Sequence, residues 1–219
     1  MELEFASILK SHGADFVSFT DVSRLSEEQN RGFPYAIIFG IVLSPSYIRK
    51  LGTRKLISKD EFHAMESKTD QLADYMADLI ARKGYSAYSQ SEYNLTSTGS
   101  YSEEKKTTPL PHKTIAGLAG LGWIGKHNLL VNSEYGSAIS LCSVLTDAPV
   151  KTVLHRPSSS QCGDCTLCRD ICQVQAISGT SWNPGVPRDE IVNVYTCNSC
   201  LMCLALCPWT QEYANKAHE

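Results

Sequence analysis

The pattern of apolar and polar positions divides the chain into a small set of elements. Phe5, Ile8 and Leu9 recur at helical spacing and predict a short helix over residues 3–12, with Gly13 suited to its C-cap. Residues 14–19 read as a strand. Residues 35–43, YAIIFGIVL, are continuously apolar, which predicts a central strand because a surface strand would alternate. Phe33-Pro34 precedes that run and Ser44-Pro45 ends it. The longest helical period covers residues 59–83. There Phe62, Met65, Leu72, Met76 and Leu79 share one face, Ser58 with Glu61 makes a capping box, and Gly84 closes the far end. A strand is expected over 85–88. Residues 92–108 are polar and rich in Ser and Thr, and read as a long loop of the kind that serves as a lid or binding loop. A short helix is expected over 113–121. Strands follow at 129–131 and 138–145, paired as a hairpin across Glu134-Tyr135-Gly136. Arg156-Pro157-Ser158-Ser159-Ser160 is the natural linker.

Composition bounds the function without choosing it. The 219 residues are 42% hydrophobic and 20% charged, enough for one large or two small domains with a buried core. A net charge of −3 gives no global field that would attract nucleic acid. There is no apolar run of about 18 residues, so no spanning helix is expected. The N-terminus, MELEFASILK, is acidic and amphipathic, not a basic segment followed by an apolar one, so it does not read as a secretory signal. The expected location is cytoplasmic.

Eight of the nine cysteines fall in two runs, Cys162-Gly-Asp-Cys165-Thr-Leu-Cys168-Arg-Asp-Ile-Cys172 and Cys197-Asn-Ser-Cys200-Leu-Met-Cys203-Leu-Ala-Leu-Cys207-Pro208. Both have the spacing of two-cluster ferredoxins, in which three thiolates two residues apart wrap one 4Fe–4S centre and the fourth reaches the other. That assigns Cys162, Cys165, Cys168 and Cys207 to one cluster, and Cys197, Cys200, Cys203 and Cys172 to the other. Structural zinc uses pairs of knuckles, which leaves a third cysteine in each run surplus. Disulfides need an oxidising compartment, and nothing in the chain points to export. Gln173 stands where proline usually follows the fourth cysteine, so a looser turn is expected there.

Residues 117–126, GLAGLGWIGK, contain a G-x-G-x-x-G at Gly120, Gly122 and Gly125. A dinucleotide fingerprint follows a strand and opens a helix. Here the glycines follow a helical stretch and lead into a strand, which argues against NAD even with Asp147 near the distance of a ribose-binding acid. Glycines still imply close backbone approach or positive φ. Tight helix–strand packing is one cause and a ligand is another. Lys126, His127 and Asn128 supply hydrogen-bond donors at the exit of the segment.

The segments GLGWIGKHNLLVN and GSAISLCSVLTD, followed by two cysteine runs ending in CPW, resemble the epoxyqueuosine reductase family, which is related to the cobalamin-dependent reductive dehalogenases. The resemblance covers most of residues 14–210. It implies an α+β fold, with a nitroreductase-like, cobalamin-binding sheet domain (residues 1–155) followed by a ferredoxin-like domain with two 4Fe–4S clusters (residues 156–219). It also implies that Gly120, Gly122, Trp123, Gly125, Lys126 and His127 help build the corrinoid pocket; with the donor Asn128 they are expected to bind the cofactor in a cavity between the two domains. The family's proton-donating Asp lies in an Asp-Thr-x-Pro stretch before the glycines. In this chain that stretch carries no acid, and Thr107 is taken to stand in its place. The family also continues into a helical tRNA-binding extension, which is absent from this sequence, so specific tRNA binding is not expected.

Tyr101 and His112 are the remaining candidates for proton transfer, His112 and Lys113 lying where the family has Glu and Arg. Cys142 alternates with apolar strand residues and reads as a buried, inert thiol. His63, alone on its helix, reads as an ordinary surface or core residue. The function expected from all this is an iron–sulfur oxidoreductase. Two 4Fe–4S clusters would pass electrons from a ferredoxin- or flavodoxin-type donor to a corrinoid that reduces a small molecule. The alternative is an electron-transfer protein that reduces a partner such as a corrinoid protein, with epoxyqueuosine reduction in tRNA as a third reading.

Overall fold

The structure is a computed structural model and describes residues 1–53 and 59–216. In chain order its elements are α1 (Glu2–Ser11), β1 (Phe16–Asp21), α2 (Glu27–Asn30), β2 (Tyr35–Val42), α3 (Pro45–Gly52), α4 (Asp60–Arg82), β3 (Ala87–Ser89) and α5 (Glu92–Ser97). They continue with α6 (His112–Leu118), β4 (Trp123–Ile124), β5 (Leu130–Val131), β6 (Ile139–Thr146), α7 (Leu167–Asp170), a 3-10 turn at Arg188–Glu190, α8 (Met202–Ala205) and α9 (Pro208–Lys216). The fold is mixed α/β with small antiparallel sheets, a four-stranded one in the order β1-β2-β6-β3 and a two-stranded one of β4 and β5. No helix among the described residues is long and apolar enough to cross a membrane.

The chain divides into two compact units. The first comprises Met1–Ile41, Phe62–Gly120 and Ser140–Arg156. Its core is built where α1 and α4 meet the sheet: Phe5 and Leu9, then Leu72, Ala73, Met76 and Ile80, pack with Ile37, Phe39, Ile41, Cys142 and Val144. Residues 36–41 are buried on both faces of β2, as its unbroken apolar run requires for an inner strand. Gly40 pairs with Phe16, and a Cβ on Gly40 would stand 2.5 Å from the Phe16 ring, so the strand needs glycine there. Cys142 is wholly buried, and burial pushes its thiol pKa well up, as expected of an inert core cysteine.

The second unit comprises Val42–Glu61, Leu121–Ile139 and Pro157–Glu219. Here α3 packs on α8 and α9. Tyr213 Oη donates to the carbonyl of Leu43 at 3.0 Å, and the Arg49 guanidinium donates to the carbonyl of Ala214. Gly136, at φ 59, abuts the backbone of Thr210, whose Oγ1 accepts the Ser137 N–H at 2.8 Å.

Two expectations are corrected and one is extended. Residues 92–97 are helical, because Ser91 Oγ caps the N–H of Asn94 at 3.2 Å. Ser44-Pro45 not only ends β2 but starts α3, with Ser44 Oγ accepting from Tyr47 N and proline at the first turn. The strand at 130–131 pairs with β4 rather than with β6. Its turn is Gly125–Leu129, closed by Gly125 N–H to Leu129 O at 2.9 Å and Asn128 N–H to Gly125 O at 2.8 Å. The stretch around Glu134 forms only a local bridge between Asn132 and Gly136. Ser58 and its capping box lie outside the described residues.

Candidate functional site

The cysteine runs fold as short turns and single-turn helices. Cys165 N–H donates to Cys162 O at 3.1 Å across Gly163, which has φ 50. In the second run Ser199 and Leu201 adopt φ 52 and 62. After Cys172 the chain turns without proline, through Gln175 N–H to Cys172 O at 3.0 Å. Residues 176–178 then bridge 191–193, with Ile177 opposite Val192, and tie down the segment between the runs.

These turns gather the thiols into two neighbouring groups. Burial raises the Cys168 pKa to about 11, and the adjacent thiols of Cys162, Cys207 and Cys165 add to the effect. Burial raises Cys203 to about 12, with Cys200, Cys168 and Cys197 as its neighbours. Burial raises Cys207 as well, opposed by the backbone N–H groups of Thr210 and Trp209 that point at its sulfur from the start of α9. Cys172 packs with Cys168 and Cys203 around Ala176, Ile177 and Val192, and its Sγ accepts the Ala176 N–H at 3.3 Å. All nine cysteines are free thiols. Cys168 and Cys207 are buried, whereas Cys197 and Cys200 are exposed. Among the described residues no three His, Cys, Asp or Glu side chains are gathered tightly enough for a single metal ion. A cubane makes a different demand, because each of its four irons takes one thiolate and the ligands surround the cluster. Grouped free thiols and N–H donors to sulfur suit that demand.

The glycine segment enters the second unit at Leu121 and forms β4. A Cβ on Gly122 would meet the Val131 carbonyl, and one on Gly125 would meet His127 and Val131, so both glycines serve close packing of the hairpin. In the first unit, Gly120 at φ 71 lies against the His155 ring. Lys126 Nζ donates to Gly163 O at 2.8 Å and Cys165 O at 3.0 Å. His127 Nε2 lies 3.0 Å from Ser137 Oγ, and its Nδ1 accepts the Leu129 N–H at 3.2 Å. Asn128 takes φ 64 in the turn. Trp123 is 5% exposed and stacks edge-on with Trp209, ring centroids 5.0 Å apart. Its Nε1 is a buried polar atom without a hydrogen-bond partner.

In the first unit His112 opens α6. Its Nδ1 lies 2.8 Å from Ser143 Oγ, which donates to Gln90 Oε1 at 2.6 Å. Gln90 Nε2 donates to Leu110 O at 3.0 Å, which fixes the amide orientation. Ser143 gives its proton to Gln90, so it accepts from His112 Nδ1–H and leaves Nε2 as an acceptor. Burial lowers the imidazole pKa to about 4. At neutral pH His112 is therefore an uncharged imidazole, and burial resists its protonation. No sequence pattern marks this network, because Gln90, His112 and Ser143 are far apart in the chain. Tyr101 follows α5, its N–H bonded to Leu95 O at 3.0 Å. Counted back from Pro109, the first position of an Asp-Thr-x-Pro stretch falls on Lys106, and Thr107 takes the place of the threonine. Lys106 is exposed and paired with Glu103 at 2.6 Å. His63 is likewise exposed, beside Glu66.

No family model matches the chain. The epoxyqueuosine reductase of Synechocystis is 32% identical over 124 residues, which cover 49% of this chain and 42% of that protein. A solved epoxyqueuosine reductase with an epoxyqueuosine-modified tRNA-Tyr stem loop superposes with a TM-score of 0.60 at 16% identity, over 96% of this chain and 65% of that one. A reductive dehalogenase solved in connection with B12-dependent dehalogenation superposes with a TM-score of 0.64 at 19% identity, over 95% of this chain and 33% of that one. The chain thus spans less than half the length of the curated relative. Over the part they share, the chain is a homologue of proteins named epoxyqueuosine reductase, and its fold is the one those proteins have in common with reductive dehalogenases.

Proposed function

We propose that the chain is an iron–sulfur oxidoreductase that uses two 4Fe–4S clusters to deliver electrons to a corrinoid within residues 1–155, for reduction of a small substrate. The observation that carries this reading is the sorting of eight free thiols into two adjacent groups. Cys162, Cys165, Cys168 and Cys207 hold one cluster, and Cys172, Cys197, Cys200 and Cys203 hold the other. When bound, the clusters supply one-electron transfer and the corrinoid a strongly reducing metal centre.

The chain's own residues prepare for this chemistry. The exposed Cys197 and Cys200 suit electron entry from a ferredoxin- or flavodoxin-type donor. The buried Cys168 and Cys207 keep water from the inner group. Trp123 Nε1, buried and unpartnered, offers a donor that the amide-rich rim of a corrinoid would satisfy. Lys126 and His127 spend hydrogen bonds on their own unit, so Trp123 carries the corrinoid reading more than those side chains do. His112 is an uncharged imidazole at neutral pH, and Tyr101 is the candidate proton donor.

A second reading, direct reduction of a protein partner, is favoured by a cleft of ≈ 320 Å³ lined by Arg169, Asp170, Cys172, Gln175 and Ile177. The expectation that tRNA is not a partner has no support, since a structural neighbour is known with a tRNA stem loop. Epoxyqueuosine in tRNA therefore remains an acceptor to assay. Anaerobic reconstitution followed by cobalamin titration tests the main reading. Eight iron and saturable cobalamin binding are expected. Eight iron without cobalamin binding would leave the electron-transfer reading in its place.

A further inference from the structure

We propose that Lys126 anchors the cluster held by Cys162, Cys165, Cys168 and Cys207, and that its positive charge sets the reduction potential of that cluster. The proposal rests on the two-cluster reading and adds a positioning residue to it.

Lys126 is 7% exposed. Its Nζ donates to Gly163 O at 2.8 Å and to Cys165 O at 3.0 Å. Both carbonyls belong to the first C-x2-C loop, the one whose turn is closed by Cys165 N–H to Cys162 O. The glycine hairpin and the first cysteine loop are therefore held together by one ammonium group. Among the described residues that ammonium has no carboxylate partner, only the two neutral carbonyls. A buried charge with dipoles alone is poorly compensated unless an opposite charge lies near. The thiolate-bound cluster supplies a buried opposite charge beside this loop, whose own carboxylate, Asp164, is exposed to water. Four cysteine thiolates leave a 4Fe–4S centre net negative in both oxidation states, and more so when reduced. A fixed positive charge beside it favours the reduced form, and net charge, hydrogen bonding and exposure are the protein's means of setting such potentials. The second group, with Cys197 and Cys200 exposed, has no lysine placed in this way among the described residues. Lys126 thereby biases the inner centre to hold the electron that the outer one receives.

The test uses the full chain, reconstituted anaerobically with iron and sulfide, as wild type and as Lys126→Gln, Lys126→Met and Lys126→Arg. Iron content is measured first, and the potential of each cluster then follows from a redox titration read by electron paramagnetic resonance. In the two neutral variants one cluster is expected to become harder to reduce, by about tenfold in its one-electron equilibrium, or about 59 mV. The other cluster stays where it was, and Lys126→Arg keeps the wild-type values. Unchanged potentials in the neutral variants would overturn the proposal, as would an equal shift of both clusters or an arginine variant that behaves like glutamine. If the neutral variants take up no iron, loading of Lys126→Arg with wild-type potentials supports the role of the charge. Failure of Lys126→Arg to load as well would reduce Lys126 to packing and overturn it. A wild-type chain that takes up no iron removes the two-cluster reading itself, an outcome distinct from all of these.

Discussion

The alpha carbon of Gly122 faces the carbonyl oxygen of Val131 so closely that an added Cβ would stand 2.0 Å from it. The collision is with backbone of the paired strand, so it cannot be relieved by a rotamer change. Gly122→Ala is expected to destabilise the protein by about 1–3 kcal/mol, the usual range for overpacking, and Gly122→Val by more. Thermal or urea denaturation of the protein without cofactors checks this. Unchanged stability in the alanine variant would show that the hairpin yields easily.

Because a bulky residue at 122 damages the hairpin directly, corrinoid binding is better tested at Trp123. Trp123→Phe keeps an aromatic ring against Trp209 and removes the Nε1 donor. If that donor serves the cofactor, cobalamin should bind roughly fivefold more weakly, as expected for one hydrogen bond of about 1 kcal/mol. Equal affinity in wild type and variant would separate Trp123 from the cofactor.

The cysteine groups make an asymmetric prediction. Cys200→Ser should cost up to half of the eight iron, whereas Cys142→Ala should leave iron content unchanged. Cys142 lies wholly buried among Ile37, Phe39 and Val144, so its cost should appear in stability alone. Iron and acid-labile sulfide assays on anaerobic protein distinguish the two. Loss of iron from Cys142→Ala at full folding would be contrary to the assignment.

His112 gives the fold a pH dependence. Its folded-state pKa is lowered from 6.5 to about 4, so between these values the unfolded chain binds a proton that the folded chain excludes. Stability from this group is fully present above pH 6.5, falls as pH drops toward 4, and changes no further below that. The residue keeps some solvent contact, so the loss should be about 1–3 kcal/mol. Urea midpoints measured from pH 7 to pH 4 in wild type and His112→Gln should differ in slope. Parallel slopes would mean that another group carries the effect.

What the sequence makes legible follows from how local each signal is. The cysteine spacing is local, and the turns it implies do form around Gly163 and Cys172. The apolar run at 35–43 needs an inner position in a sheet and has one. Partnership between distant strands is not local: residues 130–131 pair backward with β4 because the Gly125–Leu129 turn is tighter than the stretch around Glu134. The polar stretch at 92–97 lacks an apolar period, and the Ser91 cap that makes it helical is a short-range sign easily overlooked in a run of Ser and Thr. The partners of Lys126, which lie 37 and 39 residues further along, could not be read from spacing at all. Nor could the chain of bonds joining His112, Ser143 and Gln90.

The second unit draws on residues 42–61, 121–139 and 157–219, and this order has a consequence for biosynthesis. As the chain leaves the ribosome, α3 emerges with Tyr47, Ile48 and Leu51 ready for burial, but its partners α8 and α9 are made some 150 residues later. By the assignment of Cys172 and Cys207 to opposite clusters, neither metal centre can be completed until the last run has been translated. The nascent chain must therefore carry an uncovered apolar helix and six or more unoccupied thiols, on the order of the full first run and half of the second. Cluster insertion and closure of α3 against α9 therefore both wait for the second cysteine run, and a cell short of iron should accumulate this protein as an aggregation-prone or degraded chain rather than as a stable apo form.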